Sequence, residues 1–585
     1  MEIKRLRKLG ARWPLSLDET RIRLARPDAL LPLAVLGLLT GLLAGIVIVL
    51  FRLSVEGMQD GILPGEGAEN YEGLSGPMRL LLPVLAAVLL AIMFRWFANG
   101  IQVLGVARVM ERMAHHQGRC TSRAFVLQFV GAAIAIIGGH SVGREGPHVF
   151  LGAASGSLLG QQLALPNNVI RTLVGCGTAA GIAASFNTPL AGVVFALEVV
   201  MMEYTVASFI PVMLAAVSAT TISNLVFGDQ PAFSVPIMQM GSLGDLAVVL
   251  ILGIAAGAAS AAFIQAVQTV ARRSAGLAIW SRMLLAGLLA GGLGWLLPQL
   301  MGIGYDSVEL ALNGEFAVML LVMLLVGKLL ATSLCIGLGV PGGMIGPALF
   351  IGAMLGALVA KLALLMPWGL DSHVGFFALL GMGAMMSGSL QAPLAALTAM
   401  LELTDNPDII LPGMLAVVVA GITASEVFGK DSLFITMLRA GGLDYEAGPV
   451  SQALRRMGVA SVMERRFARI ESVVDAAAAR AVLGENPVYL LVDREDGAPV
   501  VMPAVDLARY MESLDAATTS VDLLEIPAER SQVGRIDLRA NLQEAWEMFD
   551  RGAAEALVVE RMTAPGIYHA YGVLMPDTVE KSYRF

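Results

Sequence analysis

The sequence predicts an all-α membrane body, a two-repeat bundle of broken helices, followed by a small α+β tail. Three observations carry this reading. The 585 residues are 56% hydrophobic and only 15% charged, with a mean hydropathy of +0.72. A soluble domain is nearer ~45–50% apolar and ~25% charged. The charge is also unevenly placed: 36 of the 136 residues from 450 to 585 are Asp, Glu, Lys or Arg, against 50 of the first 449. Finally, two groups of motifs recur about 200 positions apart.

These observations divide the chain into a basic N-terminus (1–28), a membrane body (29–440) and a tail (450–585). The N-terminus carries Lys4, Arg5, Arg7, Lys8, Arg12, Arg21, Arg23 and Arg26. Such a flank ahead of a first span places that end in the cytoplasm. The first uncharged run, Ala29 to Phe51, has the ~20 residues a spanning helix needs. Further runs are Leu80–Phe94, Ala124–His140, Thr172–Leu197, Leu246–Ala271, Met283–Tyr305, Leu329–Ala360 and Ser372–Leu401. Their lengths are irregular, and Gly and Pro interrupt most of them. Lipid does not tolerate exposed broken backbone, so the breaks must lie inside protein or along a watery path. That pattern belongs to a transporter or channel. The net charge of −8 argues against a nucleic-acid partner. Cys120, Cys176 and Cys335 are isolated and form neither a disulfide framework nor a metal site.

The repeat is ungapped. Gly143, Gly146, Pro147, Phe150, Gly152, Ala153 and Gly156 recur 200 positions later, in GMIGPALFIGAMLG from Gly343 to Gly356. Pro189, Leu190, Ala191, Leu197 and Glu198 recur at an offset of 204, as Pro393, Leu394, Ala395, Leu401 and Glu402. The halves run from about 29 to 228 and 243 to 430. Paired Gly-interrupted segments in two halves mark a binding site at their interface. Each Gly-rich element leads into an apolar helix that starts near a proline. Helix N-termini present unpaired N–H groups and partial positive charge, so several meeting together hold an anion without a full cation. Glu145 lies within the first element. Its carboxylate can occupy the same N-terminal site, block it, and leave when protonated. Arg144 beside it reads as a structural or field-shaping charge. His140 and His148 flank this loop, and Met201–Met202 reads as packing.

These motifs resemble those of the chloride channel (CLC) family of anion channels and proton-coupled exchangers, over roughly residues 30–440. GREGP at Gly143–Pro147 is the most specific; Arg144 and Gly146 flank Glu145, which takes the position of the gating glutamate. SFNTPLAGVVFALE at Ser185–Glu198 is characteristic too. GGMIGP at Gly342–Pro347 resembles the third anion-binding motif, contributing Gly343, Met344, Ile345 and Gly346, with Ile345 in place of phenylalanine. The resemblance implies a homodimer, one anion path per subunit, and two inverted repeats in each.

Three further departures from the family pattern matter. The first motif falls on VLGVA, where Leu104 replaces a serine and Ala107 a proline, leaving Gly105. The tyrosine facing the central anion corresponds to Phe434. The inner proton-transfer glutamate corresponds to Val199; Glu198 beside it matches a different family glutamate. Without two hydroxyls the central site rests on backbone N–H groups, so it is weaker or less selective, each neutral hydrogen bond being worth about 0.5–1.5 kcal/mol. Glu203 is the candidate replacement proton acceptor.

In the tail, VYLLVD (488–493) is a strand, VVMPAVDLARYM (500–511) runs from strand to helix, and LQEAWEMFDRGAAEALVVE (542–560) runs from helix to strand. The duplicated β-α-β-β-α pattern resembles a pair of cystathionine-β-synthase-type (CBS) domains. Their nucleotide motif, Thr/Ser-x-x-Asp, is here Pro503 with Asp506, and Met575 with Thr578. Asp506 remains a candidate nucleotide contact, but the missing hydroxyls favour a structural or dimerising tail.

The sequence thus reads as a multi-pass protein of a bacterial-type inner membrane with both termini cytoplasmic. It moves chloride or a similar small anion past a glutamate gate and is not an enzyme. Its partners are the anion, lipid, a second copy and possible protons, with no cofactor. The Val199 substitution leans towards passive conduction; chloride/proton exchange is the alternative, and a transport-inactive sensor signalling through the tail is a third reading.

Overall fold

The computed structural model describes residues 24, 29–64, 69–98, 105–229, 240–366, 370–404, 406–443, 449–494, 497–513, 519–564 and 566–583. The basic flank, Leu24 apart, and Leu104 therefore lie outside the described residues. Two compact units are present. One is Leu33–Leu163 with Ile170–Tyr445; the other joins Met1–Pro32, Ala164–Val169 and Glu446–Phe585.

The first unit is a double set of helices. The first half has α1 (Leu30–Ile62), α2 (Gly76–Phe97), α3 (Val106–His115), α4 (Ser122–Ile137), α5 (Glu145–Gln162), α6 (Asn167–Phe186), α7 (Pro189–Phe195) and α8 (Val206–Phe227). The second half repeats that order: α9 (Leu246–Ser274), α10 (Ile279–Leu296), α11 (Tyr305–Leu312), α12 (Val318–Leu338), α13 (Ile345–Ala363), α14 (Val374–Leu390), α15 (Pro393–Thr404) and α16 (Ile410–Ile422). A short α17 (Leu433–Ala440) follows. Among the described residues, nine helical segments are long and apolar enough to cross a membrane. The chain is a multi-pass integral membrane protein.

Two uncharged runs that the sequence shows as continuous are broken in the structure. Residues 172–197 split between α6 and α7 at Asn187, and residues 372–401 split between α14 and α15 at Gln391. Both residues are left-handed, at φ 59° and 55°. The breaks are 204 positions apart, as are the prolines that open the next helices, Pro189 and Pro393. Proline suits a first helical turn, whose N–H has no intrahelical partner.

The helices starting at these breaks cap one another. Glu402 of α15 accepts the amides of Leu190 and Ala191 at the head of α7, at 2.8 and 2.7 Å. Glu198, just past α7, accepts the amides of Leu394 and Ala395 at the head of α15, at 3.1 and 2.7 Å. Each carboxylate satisfies two orphan N–H groups and faces the positive end of a helix. The recurring glutamates of the sequence are thus reciprocal helix caps.

The second unit is α+β. It contains β1 (Phe467–Glu471), β2 (Val473–Asp475), β3 (Tyr489–Asp493), β4 (Val500–Pro503), β5 (Ser520–Asp522), β6 (Ser531–Asp537), β7 (Ala556–Ala564) and β8 (Ile567–Leu574). Six strands form one sheet in the order β1-β3-β4-β6-β7-β8, and β2 pairs with β5. β1 runs parallel to β3 as β6 does to β7, and β3–β4 is antiparallel as β7–β8 is. Ion pairs repeat too: Arg469 with Asp493 and Arg535 with Glu560. The helix over 542–550 opens on a capping box between Asn541 and Glu544.

Removing one reciprocal cap exposes two amides at a helix head. Glu402→Ala should therefore cost about 1–3 kcal/mol of stability, read as a lower thermal midpoint of the detergent-solubilised protein. Glu402→Gln keeps one acceptor and should cost less. Equal midpoints for wild type and Glu402→Ala would show that the caps carry no stability.

Candidate functional site

The site forms where the two Gly-rich elements meet. Gly143 donates its N–H to the Gly343 carbonyl at 2.8 Å, and Gly343 returns one to Gly143 at 2.7 Å. The repeats thus join backbone to backbone in an antiparallel bridge. Only glycine permits this approach. A Cβ on Gly343 would lie 2.5 Å from the Gly146 nitrogen, and one on Gly146 would lie 2.6 Å from the Gly343 Cα. A third glycine joins them: Gly105, at φ 54°, heads α3 against Gly146 and donates to Gln128 Oε1 at 3.3 Å. Three helix heads, of α3, α5 and α13, therefore meet at one place.

Glu145 is the first residue of α5 and is wholly buried. An isolated buried carboxylate costs several kcal/mol, so it needs partners. It has two. The Gly346 amide, at the head of α13, donates to Oε2 at 3.1 Å. The phenol of Tyr305, the first residue of α11, donates to Oε1. The side chain from one repeat thus occupies an N–H group at the helix head of the other.

Arg144 turns away from this point. Its guanidinium donates to Glu56 of α1 at 3.2 Å and lies 5.3 Å from the Tyr305 ring centre. It is a charge behind Glu145, already engaged by the Glu56 carboxylate. Met344 and Ile345 are buried at the head of α13. Ile345 lines a small apolar cavity with Phe186, Thr188, Phe195 and Leu349. Phe434 is buried on α17 and stands edge-on to Phe195, ring centres 6.5 Å apart.

Glu203 departs from the sequence expectation. On a continuous α-helix it would sit just over one turn past Val199. Residues Ala196–Met201 are instead a π-helix, and Met202 is left-handed at φ 52°. The wider turn and reversal carry Glu203 to the head of α8, where it accepts from the Ser208 hydroxyl. Val199 remains buried. His148 hydrogen-bonds Ser185 at 2.8 Å and His140 contacts the Ala135 carbonyl at 3.2 Å, both as polar contacts of the core. Asp506 lies in the first turn of the helix over 504–512, 3.9 Å from Arg509.

Sequence reasoning missed Tyr305, Glu56 and Gln128. Only Tyr305 carried a signal: Gly304–Tyr305 sits 199 positions after Gly105–Val106, at the corresponding helix head.

Comparison with known proteins agrees with this geometry. The family model described as voltage gated chloride channel matches residues 76–425. A putative chloride channel protein ClcB-like of Ralstonia nicotianae is 32% identical over 355 residues, 59% of this chain and 82% of that protein. A protein named H(+)/Cl(-) exchange transporter ClcA, of Salmonella paratyphi B, is 29% identical over 433 residues, 72% of this chain and 91% of that one. Among solved structures, a slow cyanobacterial Cl-/H+ antiporter matches with TM-score 0.62 and 25% identity, covering 70% of this chain and 97% of that chain. A eukaryotic CLC transporter shares the fold at TM-score 0.62 and 19% identity, covering 94% of this chain and 98% of that chain.

The glycine bridge gives a direct test. Gly343→Ala places a methyl against backbone that cannot yield, and should cut anion flux in liposomes roughly tenfold or more, as displacements of about 1 Å do in positioned sites. Gly57→Ala, where a Cβ meets nothing within 4 Å, is the matching control. Full flux through Gly343→Ala would show that the bridge does not shape the path.

Proposed function

The chain belongs to the voltage-gated chloride channel family, and we propose that it exchanges chloride or a similar small anion for protons along a path gated by Glu145. Anion transport is the activity of this family. The observation that carries the gate is the Glu145 carboxylate on the Gly346 amide. A protonated side chain would accept poorly there and vacate the N–H for an anion. The anion would then be held by backbone at Gly146, Gly343 and Gly346, with Gly105 nearby, and with Met344, Ile345 and Phe434 as apolar neighbours.

The mode of transport is where sequence and relatives pull apart. Val199 leans towards passive conduction, whereas the relatives above named as exchangers favour coupling. Exchange without a carboxylate at 199 requires protons to reach Glu145 another way. Glu203, hydrogen-bonded to Ser208, is the candidate inner acceptor; Glu198 already spends both oxygens on α15. The second reading, passive conduction, rests on the buried alkyl group at 199. We further place the protein as a homodimer in an inner membrane, termini cytoplasmic, with the tail a CBS pair whose role is structural.

A liposome experiment with a chloride electrode and a pH-sensitive dye decides the mode. A chloride gradient should drive protons uphill in a fixed ratio. Glu145→Gln should abolish that coupling, and Glu203→Gln should weaken it while chloride still moves. Chloride flux with no uphill proton movement would establish passive conduction instead.

A further inference from the structure

The gate carboxylate does not stand alone; a clamp outside the repeat motifs fixes its partner. Tyr305 follows a turn, Leu300–Gly304, that contains two left-handed glycines, Gly302 at φ 57° and Gly304 at φ 84°. Opposite charges grip this turn from two sides. Lys328 of α12 is wholly buried and donates to the carbonyls of Leu300 and Gly302, at 3.3 and 2.9 Å. Glu69, in the loop between α1 and α2, accepts the Gly304 amide on Oε2 at 3.2 Å. The loop is itself anchored. Two residues on, the buried Tyr71 phenol donates to the Ile136 carbonyl at 2.6 Å and accepts from Gln59 at 2.9 Å.

We propose that Glu69 and Tyr305 are positioning residues for the gate. The ionised Glu69 carboxylate holds the Gly304–Tyr305 turn, and the turn holds the Tyr305 phenol on Glu145, keeping it in its blocking position. Protonation of Glu69 loosens that hold and favours opening. This rests on Glu145 being the gate.

The chemistry supports a control point near neutral pH. Burial pushes the Glu69 carboxyl up to about 7. The groups facing it are Arg144 at the head of α5, Tyr305 and Asp306 on α11, Lys328 on α12, and Tyr71 on its own loop. Arg144 and the amides of Gly304 and Tyr305 favour the carboxylate, whereas Asp306 opposes it. The sign follows: the clamp is complete above about pH 7 and is lost as pH falls through it.

The test is chloride efflux from liposomes holding the full chain, at symmetrical pH from about 5 to about 9. Tyr305→Phe removes one oxygen, and a hydrogen bond to a charged group is worth about one pH unit or more. Its flux midpoint should therefore move up by about one unit. Glu69→Gln should move it the same way and flatten the profile near neutrality. The double variant should match Tyr305→Phe alone, because Glu69 acts through Tyr305. Both changes should be silent in Glu145→Gln. A wild-type profile for Tyr305→Phe, or equal Glu69→Gln shifts with and without the phenol, would overturn the clamp. A wild-type profile for Glu145→Gln would instead overturn the gate. If Tyr305→Phe does not purify folded, Glu69→Asp decides: it should restore the neutral-range response that Glu69→Gln loses, and identical profiles for the two would refute the proposal.

Discussion

The architecture depends on one contact, the mutual hydrogen bonds between Gly143 and Gly343. Two loops cannot meet backbone to backbone inside a membrane unless every amide near them finds a partner. Here each loop supplies what the other lacks, and each leads directly into a helix. The pair thus brings the heads of α5 and α13 together, with the Gly346 amide answered by Glu145. Side chains at 143, 146 or 343 would force the loops apart, which explains why glycine recurs at these places. The reciprocal caps by Glu198 and Glu402 solve the same problem at α7 and α15 with a carboxylate from the other half of the repeat.

Much of this was legible because repeats print the same residues twice. Gly143 and Gly343, Pro189 and Pro393, and Glu198 and Glu402 each stand out at offsets near 200. The fold class followed from them, and so did the choice of Glu145 as the proposed gate. Harder to read were features that break local periodicity. Pro189 and Pro393 announce where a helix restarts, but the uncharged runs around them do not show that Asn187 and Gln391 turn left-handed to reach it. The π-helix over 196–201 likewise leaves no mark, yet it moves Glu203 away from the position an α-helix gives it. The joint role of Tyr305, Glu69 and Lys328 was hidden for another reason. They lie 160, 76 and 183 residues from Glu145, and only the fold brings their interactions to one turn.

The two halves share a scaffold but not its chemistry. At equivalent places the first half has Glu145 and the second Ile345; the first has Val106 and the second Tyr305; the first has Gln128 and the second Lys328. The amides of Gly105 and Gly304, at corresponding helix heads, are answered by a neutral glutamine and by a carboxylate. A fully symmetrical pair would offer an anion two identical gates and no distinction between its ends. Here the titratable side chain comes from one half and its donors come from the other. Glu145 therefore reports on the registration of both halves at once, since it can be seated only when Gly346 and Tyr305 are both in place. Coupling a proton to an anion needs just such a group: one whose charge state and position are set by the same contacts that the anion must displace.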